Sequence, residues 1–189
     1  MSFDNPVICE NLGRCYLNWF CGGSYRKFLE LMDISREQNV LEFGSGSGGI
    51  TKWLEKKCDS LTCLEPSKYY SDLARKRFAD KPHVKIVNSR IEGAGFYSGE
   101  FDTTVICCVL HDIPAAEQSN TLHQIASCMK EDSILHIVEP IKDRHGMKPD
   151  EIESLMNNAM FRLLDKKMLG SRYYGRFQLK RLCESRYGL

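Results

Sequence analysis

Hydrophobic positions along this chain switch repeatedly between a helical period and short continuous runs. Tyr25, Phe28, Leu29 and Met32 fall at helical spacing, so residues 8–33 read as one or two helices broken near Cys21-Gly22-Gly23. NVLEF at 39–43 has the length and apolarity of a buried strand, and ITKWLEKK at 50–57 returns to a helix. LTCLEP at 61–66 predicts a strand, and SKYYSDLARKRFAD at 67–80 a helix with Ser67 as its N-cap. VKIVN at 84–88 predicts a third strand. FDTTVICCVL at 101–110 predicts a fourth, whose continuous apolarity suits burial on both faces. A helix at 115–130 behind Pro114, a strand at 133–140 and a helix at 149–160 opened by Pro149 follow. The chain then ends in two strand-like runs, FRLLDKK and YYGRFQLKR, joined by the turn-prone Leu169-Gly170-Ser171.

Strands alternating with helices imply a parallel sheet covered on both faces, and two final strands without a helix between them imply an antiparallel hairpin. The expected fold is therefore α/β: a Rossmann-like, seven-stranded, mostly parallel sheet with a C-terminal antiparallel hairpin. One domain spans 1–189, with residues 1–34 as a helical lid on a core of 35–189. In such a sheet a ligand lies beyond the carboxyl ends of the strands, at the switch point beside the first strand.

At that point the sequence reads VLEFGSGSGGI. Gly44, Gly46 and Gly49 satisfy the literal G-x-G-x-x-G pattern, and an acid, Glu65, ends the next strand 19 residues after Gly46. Glycines allow a sharp turn and close approach to a ligand, and Glu65 can accept from two ribose hydroxyls. Several nucleotide cofactors satisfy that much. Glu42 narrows the choice, because a carboxylate at the end of a buried strand repels a pyrophosphate and favours an ammonium group. S-adenosylmethionine carries an ammonium, a carboxylate for backbone N–H groups, a ribose, an adenine and a cationic sulfonium. The alternative is that Glu42 pairs with a Lys or Arg of the chain itself.

VLEFGSGSGG, CLEPS, FDTTVICCVLHDIP and HIVEP together resemble a class I S-adenosylmethionine-dependent methyltransferase over residues 38–140, and the terminal hairpin is a hallmark of that family. The resemblance implies S-adenosyl-L-methionine as cofactor and S-adenosyl-L-homocysteine as product. It places Glu42, Gly44, Ser45, Gly46 and Gly48 along the methionine part, Glu65 on the ribose and Pro66 near the adenine. Val109, Leu110 and His111 border the cofactor on the substrate side. After the third strand the family has a small residue followed by an aspartate on the adenine amino group. Here Ser89 and Arg90 stand in that place, and Arg90 cannot accept a hydrogen bond. The Ile91 N–H with a Ser89 acceptor, or Glu92 one turn away, are the substitutes.

Methyl transfer from a sulfonium needs positioning above all, worth roughly 7–11 kcal/mol, and a base only for a protonated acceptor. His111, at the carboxyl edge after the fourth strand, is the candidate base, since an imidazole titrates near neutrality. Its alternative is a lining or capping residue. Glu139 ends the fifth strand and is a second substrate-side candidate, unless it serves a nearby N–H. Tyr16, Trp19, Phe20 and Tyr25 would wall the pocket from the lid, or serve as helix core. His136 reads as a packed core histidine, His145 as a rim residue. CCVLHDIP lacks the N/D-P-P-Y/F motif of methyltransferases acting on base amino groups, which disfavours that chemistry.

Composition narrows the partners. Net charge is +1, which argues against a dedicated nucleic-acid binder, although residues 161–189 hold eight Lys or Arg against Asp165 and Glu184. No run of eighteen apolar residues or signal-peptide pattern is present, so neither membrane span nor leader is expected. Nine cysteines, an odd count, fit a reduced, cytoplasmic setting, and Cys63, Cys107, Cys108 and Cys128 in apolar segments read as small core residues. Cys9, Cys15 and Cys21 at six-residue spacing do not suit a metal, and none is expected. A small-molecule acceptor is the leading expectation. A non-catalytic or partner-dependent cofactor-binding subunit and an RNA or protein methyltransferase are alternatives. A nicotinamide dehydrogenase is disfavoured by Glu42 and by the lack of a Tyr-x-x-x-Lys pair.

Overall fold

The computed structural model describes residues 22–141 and 146–180. Its seven strands form one sheet in the order β3-β2-β1-β4-β5-β7-β6. They are β1 (Asn39–Phe43), β2 (Ser60–Leu64), β3 (Val84–Val87), β4 (Phe101–Cys107), β5 (Met129–Pro140), β6 (Phe161–Leu169) and β7 (Arg172–Leu179). β1 to β5 run parallel, whereas β7 is antiparallel to both β5 and β6. The hairpin turns at Gly170 with φ +63°, as the Gly-Ser pair leads one to expect. The sheet reverses its order between β1 and β4, and that crevice is where an α/β sheet receives a ligand.

The helices are α1 (Gly22–Leu31), α2 (Thr51–Leu54), α3 (Lys68–Arg77), α4 (Ala115–Cys128) and α5 (Pro149–Asn158). Alternate residues of each strand face opposite cores. Leu41, Ile106, Leu135 and Ile137 pack with Leu122 and Ile125 of α4 and with Ile152 and Met156 of α5. Val40, Cys63, Val105 and Val138 pack with Phe28 and Leu29 of α1 and Leu54 of α2. Burial on both faces explains the unbroken apolar run of β4.

Three elements differ from the sequence expectation. The helix expected at 50–57 is regular only over Thr51–Leu54 and continues as turns to Lys57, because beyond Glu55 the N–H groups bond three rather than four residues back, Lys56 to Trp53 and Lys57 to Leu54. β5 begins at Met129 rather than residue 133: Met129 pairs with Phe101, and the register then shifts beside Asp132 at φ +58°. α1 is described from Gly22, beside the expected break, and ends at Leu31 rather than residue 33; the stretch before Gly22 lies outside the described residues. Ser67 does cap α3, accepting from the Tyr70 N–H at 3.4 Å.

The docking of α1 is polar as well as apolar. The Tyr174 hydroxyl donates to the Leu31 carbonyl at 3.1 Å and lies 3.0 Å from His136 Nδ1. Tyr174 therefore accepts from an Nδ1–H of His136. Burial first, then the nearby charges of Arg176 and Lys57, push the His136 pKa down to about 3. His136 is thus the core histidine its place in the strand suggests. Among the described residues no helix is long and apolar enough to cross a membrane.

Candidate functional site

The glycine turn leaves β1 and folds back against β2. Gly44 and Ser45 both donate to the Leu64 carbonyl, at 2.9 and 3.2 Å, and Gly48 donates to Ser45 at 3.0 Å. Gly44, Gly46 and Gly48 adopt φ of +74°, +55° and +85°. The turn therefore uses glycine at every second position, G-x-G-x-G, and Gly49 of the literal dinucleotide pattern is not one of the left-handed residues. A Cβ on Gly44 would lie 2.5 Å from a Val109 methyl, so the turn and the segment after β4 are in van der Waals contact. A Cβ on Gly48 would strike the Phe78 ring, whereas one on Gly46 would meet nothing within 4 Å. Gly46 is the glycine that borders open space.

Two carboxylates support this turn. Glu42 is buried, and its Oε2 accepts from Thr51 Oγ1 at 2.6 Å and Cys63 Sγ at 3.3 Å. Burial pushes its pKa up to about 7 against those hydrogen bonds. Among the described residues no Lys, Arg or His pairs with it. Glu65 Oε2 accepts from the Gly46 N–H and Oε1 from the Ser67 N–H, each at 2.8 Å. Burial raises its pKa, opposed by those two N–H groups. The acid at the end of β2 thus holds the second glycine of the turn in place. Ser45 Oγ is buried with no hydrogen-bond partner among the described residues, which costs about 1–3 kcal/mol unless a ligand supplies one.

The segment after β4 carries the second half of the site. His111 Nδ1 lies 2.5 Å from Glu139 Oε2, and Glu139 Oε1 accepts from the Val109 and Leu110 N–H groups at 3.0 and 2.8 Å. Glu139, expected to face substrate, is fully buried and spends both oxygens on this segment. Burial lowers the His111 pKa, but the hydrogen bond and charge of Glu139, with Asp112 and Cys108, carry it above the ordinary value. Nδ1–H on Glu139 leaves Nε2 as the titrating nitrogen, with Asp112 Oδ1 at 3.5 Å.

The adenine side is arranged differently. Arg90 is exposed and turned onto Glu117 at the start of α4, with Glu92 at 3.7 Å. Ser89 Oγ donates to the Arg90 carbonyl at 2.8 Å. Ile91 is buried and opens a 3₁₀ turn over Ile91–Gly93. Pro66 is exposed at the edge. Sequence reasoning passed over Asn88, whose Nδ2 donates to the Glu65 and Pro66 carbonyls at 2.9 and 3.0 Å and ties the ends of β2 and β3 together. Its signal was its position, the polar residue that ends an apolar strand. Cys108 was also missed: it leaves the core at φ +56° instead of packing within it. Tyr16, Trp19, Phe20, the side chain of Tyr25, His145, and Cys9, Cys15 and Cys21 lie outside the described residues.

The donor set suits a cationic, hydroxyl-bearing ligand: among the described residues, a buried carboxylate without a cation, a hydroxyl without a partner, and a glycine turn open at Gly46. Comparison with known proteins agrees. Residues 40–132 match the family described as "Methyltransferase domain". Ribosomal RNA small subunit methyltransferase A of Mesomycoplasma hyopneumoniae (strain 232) is 29% identical over 146 residues, covering 76% of this chain and 53% of that protein. The chain thus spans about half the length of this relative. An uncharacterized methyltransferase of Geobacillus sp. (strain WCH70) is 26% identical over 174 residues, covering 92% and 78% of the two chains. A SAM-dependent methyltransferase from Aquifex aeolicus superposes with a TM-score of 0.73 at 14% identity, covering 87% of this chain and 92% of its own. The matched stretch opens at β1 and runs into β5 and carries the glycine turn, both of its acids and His111, so the part of this chain that holds the candidate site is similar to the methyltransferase domain family.

Proposed function

We propose that this protein transfers a methyl group from S-adenosyl-L-methionine to a small-molecule acceptor in a reducing, cytoplasmic setting. The observation that carries the reading is Glu42, a buried carboxyl with no cation beside it among the described residues. When bound, S-adenosylmethionine supplies an electrophilic methyl on a sulfonium that leaves as a neutral thioether. Glu42 takes the ligand's ammonium, and Ser45 with the turn's N–H groups takes its carboxylate. Glu65 holds the turn through Gly46 and presents its remaining lone pairs to the ribose. His111, oriented by Glu139, accepts the acceptor's proton at Nε2 and remains an imidazolium stabilised by that carboxylate.

The test is calorimetric titration with S-adenosylmethionine and S-adenosylhomocysteine, with NAD as control. Binding of the two adenosyl ligands and not of NAD is expected. Absence of adenosyl binding sinks the reading, as does a Glu65→Ala variant that binds unchanged.

A second reading, methylation of RNA, draws on the name of the mycoplasmal relative and on the basic hairpin β6–β7. Near-neutral net charge alone does not weigh against it. Several of the hairpin's cations already have partners: Lys166 on Glu153, Arg162 on Gln178 and Lys180 on Asn157. Binding to a structured RNA that collapses between low and moderate salt would favour RNA over a small acceptor.

A further inference from the structure

The turn that carries His111 from β4 into α4 is gripped at both of its ends. It closes on itself through the Asp112 N–H to the Val109 carbonyl at 3.0 Å and the Ile113 N–H to the Leu110 carbonyl at 3.2 Å. A 3₁₀ turn as short as Leu110–Asp112 leaves N–H groups open at its start and carbonyls open at its end. Glu139 on β5 takes the start, accepting from the Val109 and Leu110 N–H groups. Gln118, in the first turn of α4, takes the other side: its Nε2 donates to the Leu110 and Ile113 carbonyls, each at 3.1 Å. Those two carbonyls straddle His111 in the chain. Gln118 is buried, so water is a poor substitute for its amide.

We propose that Gln118 is a positioning residue for His111: its side-chain amide, fixed by α4, locks the turn so that the imidazole stays on Glu139. The carboxylate that holds the ring at Nδ1 also holds the backbone just ahead of it. The ring therefore keeps its hydrogen bond only while the turn keeps its orientation to β5. Glu139 alone is a grip at one end, about which the turn can tilt, and the two bonds from Gln118 remove that freedom. α4 is a firm mount for them. Leu122 and Ile125 lie in the core, and the neighbouring Glu117 pairs with Arg90. Loss of the Gln118 amide thus leaves the helix in place and frees the turn. For a base at Nε2, a displacement of 1 Å costs on the order of 10²-fold in rate.

That consequence for methyl transfer rests on the function proposed above, whereas the hold on His111 does not, and the experiment separates them. Isotope-labelled protein without cofactor is followed by NMR across pH. The groups facing the His111 ring are Glu139 on β5, Asp112 within the turn and Cys108 just before it. Burial holds its pKa down, and those groups, Glu139 foremost, carry it above the ordinary histidine value. Gln118→Met, similar in length but without a donor, should move the titration down toward that ordinary value. Amide exchange at Asp112 and Ile113 should quicken by about tenfold or more, with β4 and the middle of α4 at wild-type rates. Gln118→Lys, which keeps an N–H donor, should restore part of both effects. A glutamine with a merely structural role would lower the unfolding midpoint and leave the His111 titration where it is. A folded Gln118→Met protein with the wild-type His111 titration therefore overturns the proposal. So, with no variant needed, do Gln118 side-chain amide protons that exchange in the wild type as fast as those of an exposed glutamine. Failure of the wild type to bind S-adenosylhomocysteine would remove the methyl-transfer reading and leave the hold on His111 to stand or fall on the titration.

Discussion

At the scale of single residues, the buried carboxyl of Glu42 links binding to stability with opposite signs. Its folded pKa of about 7 lies above the ordinary carboxyl value, through burial above all. A raised acid is stabilising only while protonated, so its contribution is present below about pH 4.5 and is lost as pH rises through 7. Glu42→Gln removes that loss, and the ligand-free protein should gain up to about 3 kcal/mol at pH 8, with little change at pH 4.5, by thermal unfolding. The same variant should no longer bind S-adenosylmethionine, because the ammonium loses its carboxylate. In the wild type a cationic ligand draws the carboxyl into its ionised form. Affinity should therefore rise between pH 6 and 8, and titrations in buffers of different ionisation enthalpy should show proton release. Across the crevice, His111→Asn should lower turnover by about 10²–10⁴-fold and leave adenosyl-ligand affinity within a few-fold. The wild-type kcat/KM should rise with pH through an inflection above 6.5, since Glu139 keeps the imidazole charged and a base must be neutral.

At the scale of elements, the glycine turn divides into positions that pack and a position that stays open. Gly44 has both a left-handed φ and Val109 within 2.5 Å of a would-be Cβ. Gly44→Ala should destabilise the protein by about 2 kcal/mol or more, measured by denaturant unfolding, as strain adds to overlap. Gly46 has the left-handed φ but no neighbour within 4 Å. Gly46→Ala should cost only about 1 kcal/mol in stability while weakening S-adenosylhomocysteine binding at least tenfold in the same calorimetric titration. Equal destabilisation by the two variants would contradict this division.

At the scale of the whole molecule, the site is shared between two halves of the sheet that meet at β1 and β4. On the proposed function the cofactor side comes from β1, β2 and the turn between β1 and α2, and the acceptor side from the end of β4 and from β5. A ligand that binds across the join stabilises the folded chain by mass action, about 2.7 kcal/mol at one hundred times its dissociation constant. For a chain of this length that corresponds to a rise in Tm of roughly 5–10 °C with S-adenosylhomocysteine and none with NAD. Equal shifts with both ligands would point to a general nucleotide site rather than an adenosyl one. Docking of α1 through the His136–Tyr174–Leu31 chain ties the described N-terminal helix to β5 and β7, so Tyr174→Phe should loosen that helix without touching the crevice.

Periodicity alone determined the order and kind of the elements, because burial on one face of a helix or both faces of a strand leaves a local signature in the chain. It also identified the hairpin, the glycine turn and the two acids that flank it, since each is a spacing within a few residues of a strand end. What local pattern does not encode is who meets whom across the sheet. That Glu139 turns inward to His111, that Arg90 swings to Glu117, and that Arg172 reaches Cys108 from 64 residues away are outcomes of strand order and register. Glu42 shows the boundary most clearly. Its place at the end of β1 was legible as a charge in a buried strand, but whether an internal cation neutralises it depends on every element packed around it. Only the tertiary structure gave that carboxyl Thr51 and Cys63 as its hydrogen-bond partners, with no cation beside it among the described residues.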